Sequence, residues 1–278
     1  MNIARLVALL TIAFGVGCGG ASAPAAAVPT SASDLESPVA AGALEYKEGS
    51  SPLEGYLAMP TEQAGKKLPA IVLVHDWMGI SEDTKARAVQ FARLGYVVLA
   101  ADIYGKGVHP SSAVEAGKLA ASFKSDRKLL RARMSAAIAA LVANPRVDAA
   151  KLVALGYCFG GTAALEAGRD GADLRGIISF HGGLQTPTPG DAKYIKARVL
   201  ALHGADDPFV NSDEVKAFEE EMRAAKVDWQ LVSYGGAVHA FTVKAAGGDA
   251  SKGAAYNALA DARSWEESKR FLTELWTR

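Results

Sequence analysis

The sequence is nearly without cysteine: among 278 residues only Cys18 and Cys158 carry a thiol. A disulfide-stapled fold is therefore excluded, and the chain must be held by an apolar core. An excess of one charge is missing as well, since 30 Lys and Arg stand against 30 Asp and Glu. Nothing in that balance calls for nucleic acid or an acidic surface as a partner. The five histidines form no His-x-x-x-His or Cys-His cluster, so no metal and no cofactor are expected. No apolar run reaches the ~20 residues that a membrane-crossing helix needs. What is plentiful is core material: 50% of the residues are hydrophobic, enough for one large domain behind a short leader.

The leader is MNIARLVALLTIAFGVGCGG, in which Arg5 precedes an apolar stretch of about a dozen residues. Residues 1–18 read as an export signal. Cys18, following Gly15, Val16 and Gly17, resembles the lipidated cysteine of bacterial lipoproteins; the alternative is cleavage near Ala21-Ser22-Ala23, which Pro24 disfavours. Residues 19–40, rich in Ala, Ser, Pro and Gly, suit a flexible linker to a domain spanning 41–278. The expected location is exported, periplasmic or cell-envelope, with membrane contact only through a lipid on Cys18.

From residue 43 to 59 apolar and polar residues alternate around Gly49-Ser50-Ser51-Pro52, a β-hairpin pattern. Six apolar runs follow at 69–75, 95–102, 151–157, 174–181, 197–203 and 227–234, with the β-branched and Leu content of strands buried on both faces. Helical patterns lie between them at 82–94, 111–121, 126–143, 160–169, 212–225 and 252–276. The alternation predicts an α/β fold: a mainly parallel twisted sheet of about eight strands, helices on both faces, no separate lid domain. Such sheets bind ligands at the carboxyl ends of their strands. Tyr104, just past one strand run, and Tyr157, at the end of another, are thereby candidates for substrate binding. His75, His181 and His203 also end strand runs, where a structural hydrogen bond is the expected role, and His109 lies in a loop.

Gly156-Tyr157-Cys158-Phe159-Gly160 joins a strand run to a helical pattern, as a nucleophile elbow does. Glycines on either side of the nucleophile are needed because a β-carbon there would clash. The following helix N-terminus favours a thiolate. The N–H of Phe159 is one expected oxyanion donor and the N–H of Trp77, after the third strand, the other. Two later strands empty into Asp206-Asp207 and into the loop holding His239. Nucleophile, acid, histidine is the chain order of this hydrolase class.

Gly156 to Gly161, Gly204 to Val210 and Gly236 to Phe241, with Leu53 to Leu57, His75 to Gly79 and Asp102 to Gly105, resemble the dienelactone hydrolase family of α/β-hydrolases. The likeness runs from about residue 43 to the C-terminus. Its pattern Gly-x-x-Asp-x-x-Val selects Asp207 as the acid beside Cys158 and His239, with Asp206 a turn-forming neighbour. The resemblance implies a lidless hydrolase opening a small ester or lactone through an acyl-cysteine, and Asp76 at the place of the family's nucleophile-paired glutamate. Val243 stands where the family's type member has a substrate-binding arginine, leaving Lys106 and Arg127 as cationic candidates. A monomer is expected. The competing readings are a general carboxylesterase or thioesterase, which an ester panel separates, and a non-catalytic binding protein that has kept the fold.

Overall fold

The computed structural model describes residues 38–62 and 65–277. The signal 1–18, Cys18 and most of the expected linker lie outside the described residues. Among the described residues eight strands form one sheet: β1 Val39–Glu48, β2 Ser51–Pro60, β3 Leu68–Val74, β4 Val97–Ala101, β5 Val147–Tyr157, β6 Gly176–Phe180, β7 Arg198–Gly204 and β8 Trp229–Tyr234. Their spatial order is β1-β2-β4-β3-β5-β6-β7-β8. The β1–β2 hairpin is antiparallel, β2 pairs antiparallel with β4, and every other pairing is parallel. The first strand begins two residues before the expected domain boundary, so residues 39 and 40 belong to the hairpin and not to the linker.

Among the described residues six helices cover the sheet: α1 Glu82–Arg93, α2 Ala113–Ser125, α3 Arg127–Val142, α4 Phe159–Arg169, α5 Ser212–Ala224 and α6 Ala258–Thr277. The period-two geometry of a strand sends alternate side chains to opposite faces. In β3, Val72 and Val74 join the apolar cluster that includes Phe123, Leu130 and Phe218, while Ile71 and Leu73 join the one that includes Phe91 and Phe271. Each fully buried Val, Leu or Ile contributes about 1.5–3 kcal/mol, which is why both strand faces are apolar.

One buried charge network fixes the ground beneath the site. Arg169, fully buried at the end of α4, grips Glu221 of α5 with Nε and Nη2 at 2.8 and 2.7 Å, reaches Glu166 at 3.1 Å, and donates from Nη2 to the Leu184 carbonyl at 2.9 Å. Bidentate guanidinium–carboxylate bonds satisfy both charges where water does not. The loop after β6 is thus tied to α4 and α5. Glu214 ties it a second time, accepting from the N–H groups of Leu184 and Gln185 at 2.6 and 3.0 Å.

Candidate active site

The chain passes from β5 to α4 through a single residue, Cys158, at φ 53 and ψ −115. Such a left-handed backbone is costly for a residue with a β-carbon, and it is held by packing around it. A β-carbon on Gly156 would stand 2.2 Å from the backbone of Gly160, and one on Gly160 would stand 2.3 Å from the Val74 carbonyl oxygen. Only glycine lets α4 sit so close to the ends of β3 and β5. The Cys158 N–H donates to the Phe180 carbonyl at 2.9 Å, which locks the turn to the neighbouring strand.

The thiol faces an imidazole. His239 Nε2 lies 3.0 Å from Cys158 Sγ, and its Nδ1 lies 2.8 Å from Asp207 Oδ2. Asp207 is buried, and its other oxygen accepts from the N–H groups of Phe209 and Val210 at 2.8 and 3.3 Å. These bonds aim the carboxylate at the ring. Asp206 does a separate job: its carboxylate accepts the Gly236 N–H at 2.9 Å, joining the loop that bears the acid to the loop that bears the histidine. Burial alone would depress the His239 pKa, but the Asp207 and Cys158 hydrogen bonds and their charges outweigh it and lift the pKa from 6.5 to about 10. The histidine's own backbone is pinned as well, its N–H donating to Gly253 and its carbonyl accepting from Ala255.

Phe159 is the first residue of α4, where a helix leaves its N–H without an intrahelical acceptor. Among the described residues neither that group nor the Trp77 N–H has a hydrogen-bond partner. Both residues line one cleft of about 850 Å³ together with Cys158 and His239.

Other residues singled out from the sequence sit differently. Asp76 lines the cleft but makes no hydrogen bond to Cys158; its Oδ1 accepts the Met78 N–H at 2.8 Å, a turn that so short a side chain readily closes on itself. Burial raises its pKa. Tyr104 does not line the cleft: its hydroxyl donates to the Trp77 carbonyl at 2.9 Å and its ring packs on His75, Phe123 and Phe159. It supports the loop that carries Trp77. Tyr157 points to the other side of the sheet, stacked on Phe180 at 4.5 Å beneath the Arg87 guanidinium. Lys106 is held by Glu45 and Glu54 of the hairpin. Arg127 donates to the Gln185 carbonyl at 3.3 Å but does not itself line the cleft.

One wall was missed. Gly117, Ala120, Ala121 and Lys124 of α2 line the cleft, and their i, i+3, i+4, i+7 spacing is a single helix face of small residues ending in a lysine. That signal was present in the sequence. Among the described residues no group of three or more His, Cys, Asp and Glu side chains could hold a metal ion, and no helix is long and apolar enough to cross a membrane.

Comparison with known proteins bears on the family and the fold. The model of the dienelactone hydrolase family matches residues 53–276. A protein of Bradyrhizobium described as a probable 2-oxo-3-(5-oxofuran-2-ylidene)propanoate lactonase is 32% identical over 196 residues, 67% of this chain and 77% of its own. Among solved structures, one titled m3DLH is 39% identical with a TM-score of 0.82, covering 86% of this chain and 99% of its own. A dienelactone hydrolase-like promiscuous phosphotriesterase, P91 from metagenomic libraries, is 38% identical with a TM-score of 0.80, covering 85% and 98%.

Proposed function

The chain belongs to the dienelactone hydrolase family, and from that premise we propose that it hydrolyses a small carboxylic ester or lactone through an acyl-cysteine on Cys158. The observation that carries the reading is the continuous relay from sulfur to imidazole to buried carboxylate, at 3.0 and 2.8 Å. The Cys158 thiolate attacks the ester carbonyl carbon, and the carbonyl oxygen takes the negative charge towards the N–H groups of Phe159 and Trp77. Collapse breaks the bond to the alcohol oxygen, which takes the His239 proton; in a lactone the alcohol stays tethered to the acyl group. Water then gives a proton to His239 and attacks the thioester, and the acid departs with Cys158 restored as thiolate. The lactonase description of the Bradyrhizobium relative supports a cyclic ester as one substrate form.

The test is direct. Acid quench of a reaction with a para-nitrophenyl ester is expected to leave one acyl group on the peptide bearing Cys158, detected by mass spectrometry. Turnover with the label on another residue would sink the acyl-cysteine route.

We also propose that the protein is exported and lipid-anchored through Cys18, on the strength of Arg5, the apolar run and the residues before Cys18. In a bacterial host the mature N-terminal peptide is expected to begin at Cys18 with a diacylglyceryl mass. A mature chain starting beyond residue 20 without lipid would refute the anchor.

A further inference from the structure

The walls of the cleft name the kind of ester, on the premise that this is where hydrolysis occurs. Three large apolar side chains at the cleft are open to solvent: Trp77 and Met78 at 37% exposure and Phe209 at 62%. Apolar surface gathered at a concave site is surface that a ligand covers. Phe209 stands edge-on to the His239 ring with centroids 5.5 Å apart, so an apolar group resting on it lies beside the reacting atoms. Val243 continues the same lining.

The charged groups are arranged against an anion. Asp76, Asp83 and Glu214 line the cleft, and Lys124 is the only lysine or arginine that does so among the described residues. Its field is opposed by a carboxylate on the same wall, since Lys124 Nζ and Glu214 Oε1 both face Gly183, 3.9 and 3.7 Å from where a β-carbon on that residue would stand, without forming an ion pair with each other. Asp83 and Glu214 alone outnumber that lysine, before Asp76 is counted, and the charge on His239 is already engaged by the Asp207 carboxylate and the Cys158 sulfur.

We propose that the cleft selects uncharged, apolar esters and lactones and discriminates against substrates that carry a carboxylate. The lactone named for the Bradyrhizobium relative is a carboxylate, so the two proteins part in substrate charge.

The test uses a matched pair, methyl para-acetoxybenzoate and para-acetoxybenzoate, with each kcat/KM divided by that ester's own rate of alkaline hydrolysis. The methyl form is expected to be favoured about tenfold or more, and Val243→Arg to narrow the gap. Equal or better use of the carboxylate overturns the proposal, and loss of that activity in Lys124→Ala would identify the lysine as its holder. A second arm follows binding of the two product phenols, methyl para-hydroxybenzoate and para-hydroxybenzoate, by quenching of Trp77, with Trp77→Phe as background. Tighter binding of the neutral phenol is expected; equal or tighter binding of the anion, or binding of neither, overturns the charge preference. Turnover of neither acetate ester defeats the hydrolase reading instead, and the phenols still decide the preference.

Discussion

Cys158→Ala is expected to lower kcat/KM for small activated esters by at least about a thousandfold, to the level set by the remaining oxyanion donors and binding contacts. The argument rests on what the substitution leaves in place. Alanine keeps the β-carbon and the backbone bonds that lock the elbow, including Cys158 N–H to Phe180, and removes a half-buried sulfur whose one side-chain hydrogen bond is to His239. Circular dichroism and Tm should therefore stay close to the parent values while turnover is lost. A purified, folded Cys158→Ala protein with parental rates would remove the sulfur from the mechanism. It would also leave the strained backbone of residue 158 without a purpose.

The second large effect belongs to the acid. Asp207→Asn is nearly isosteric, and its carbonyl oxygen can still accept from Phe209 and Val210. Its amide group would then face His239 Nδ1 as a donor. The imidazole must answer with a lone pair, which puts its proton on Nε2, facing a sulfur whose proton it should take. A fall in kcat of about 100- to 10,000-fold is expected, with little change in KM. The pH dependence supplies a readout that lost packing would not reproduce. With the folded pKa of His239 at about 10, above its usual 6.5, the protonated ring stabilises the fold fully below pH 6.5, and that contribution is lost as pH rises through 10. Asp207→Asn removes the leading group that raises this pKa. The Tm gap between parent and variant should be widest near pH 6 and close towards pH 10, and a gap independent of pH would argue that the carboxylate only packs.

Much of this site is legible in the amino-acid sequence, for reasons that differ between its parts. The parallel strands announced themselves because burial on both faces demands continuous Val, Ile and Leu, as in 69–75 and 197–203. Cys158, Asp207 and His239 each follow such a strand, and strand ends converge in three dimensions even though the residues are 81 and 32 positions apart in pairs. Tyr104 and Tyr157 lie at strand ends too, yet one supports the Trp77 loop and the other faces the opposite side. Position at a strand end does not say which way a ring turns. Asp76 was legible as a cleft residue, whereas its bond to the Met78 N–H depended on local turn geometry. The start of β1 was hidden because Val39-Ala40-Ala41-Gly42 has the composition of the tether before it. The helical pattern expected from residue 252 begins instead at Ala258, because the six residues before it are spent elsewhere.

They are spent on His239. Gly253 and Ala255 clamp the backbone of His239 from both sides, Asn257 donates through its N–H to Phe241, and its side-chain amide reaches the Gly236 carbonyl. One residue later the chain enters α6 and runs to its end. The imidazole of the proposed triad is in effect moored to the first turn of that helix, so a substitution that shifts the start of α6 shifts the ring as well.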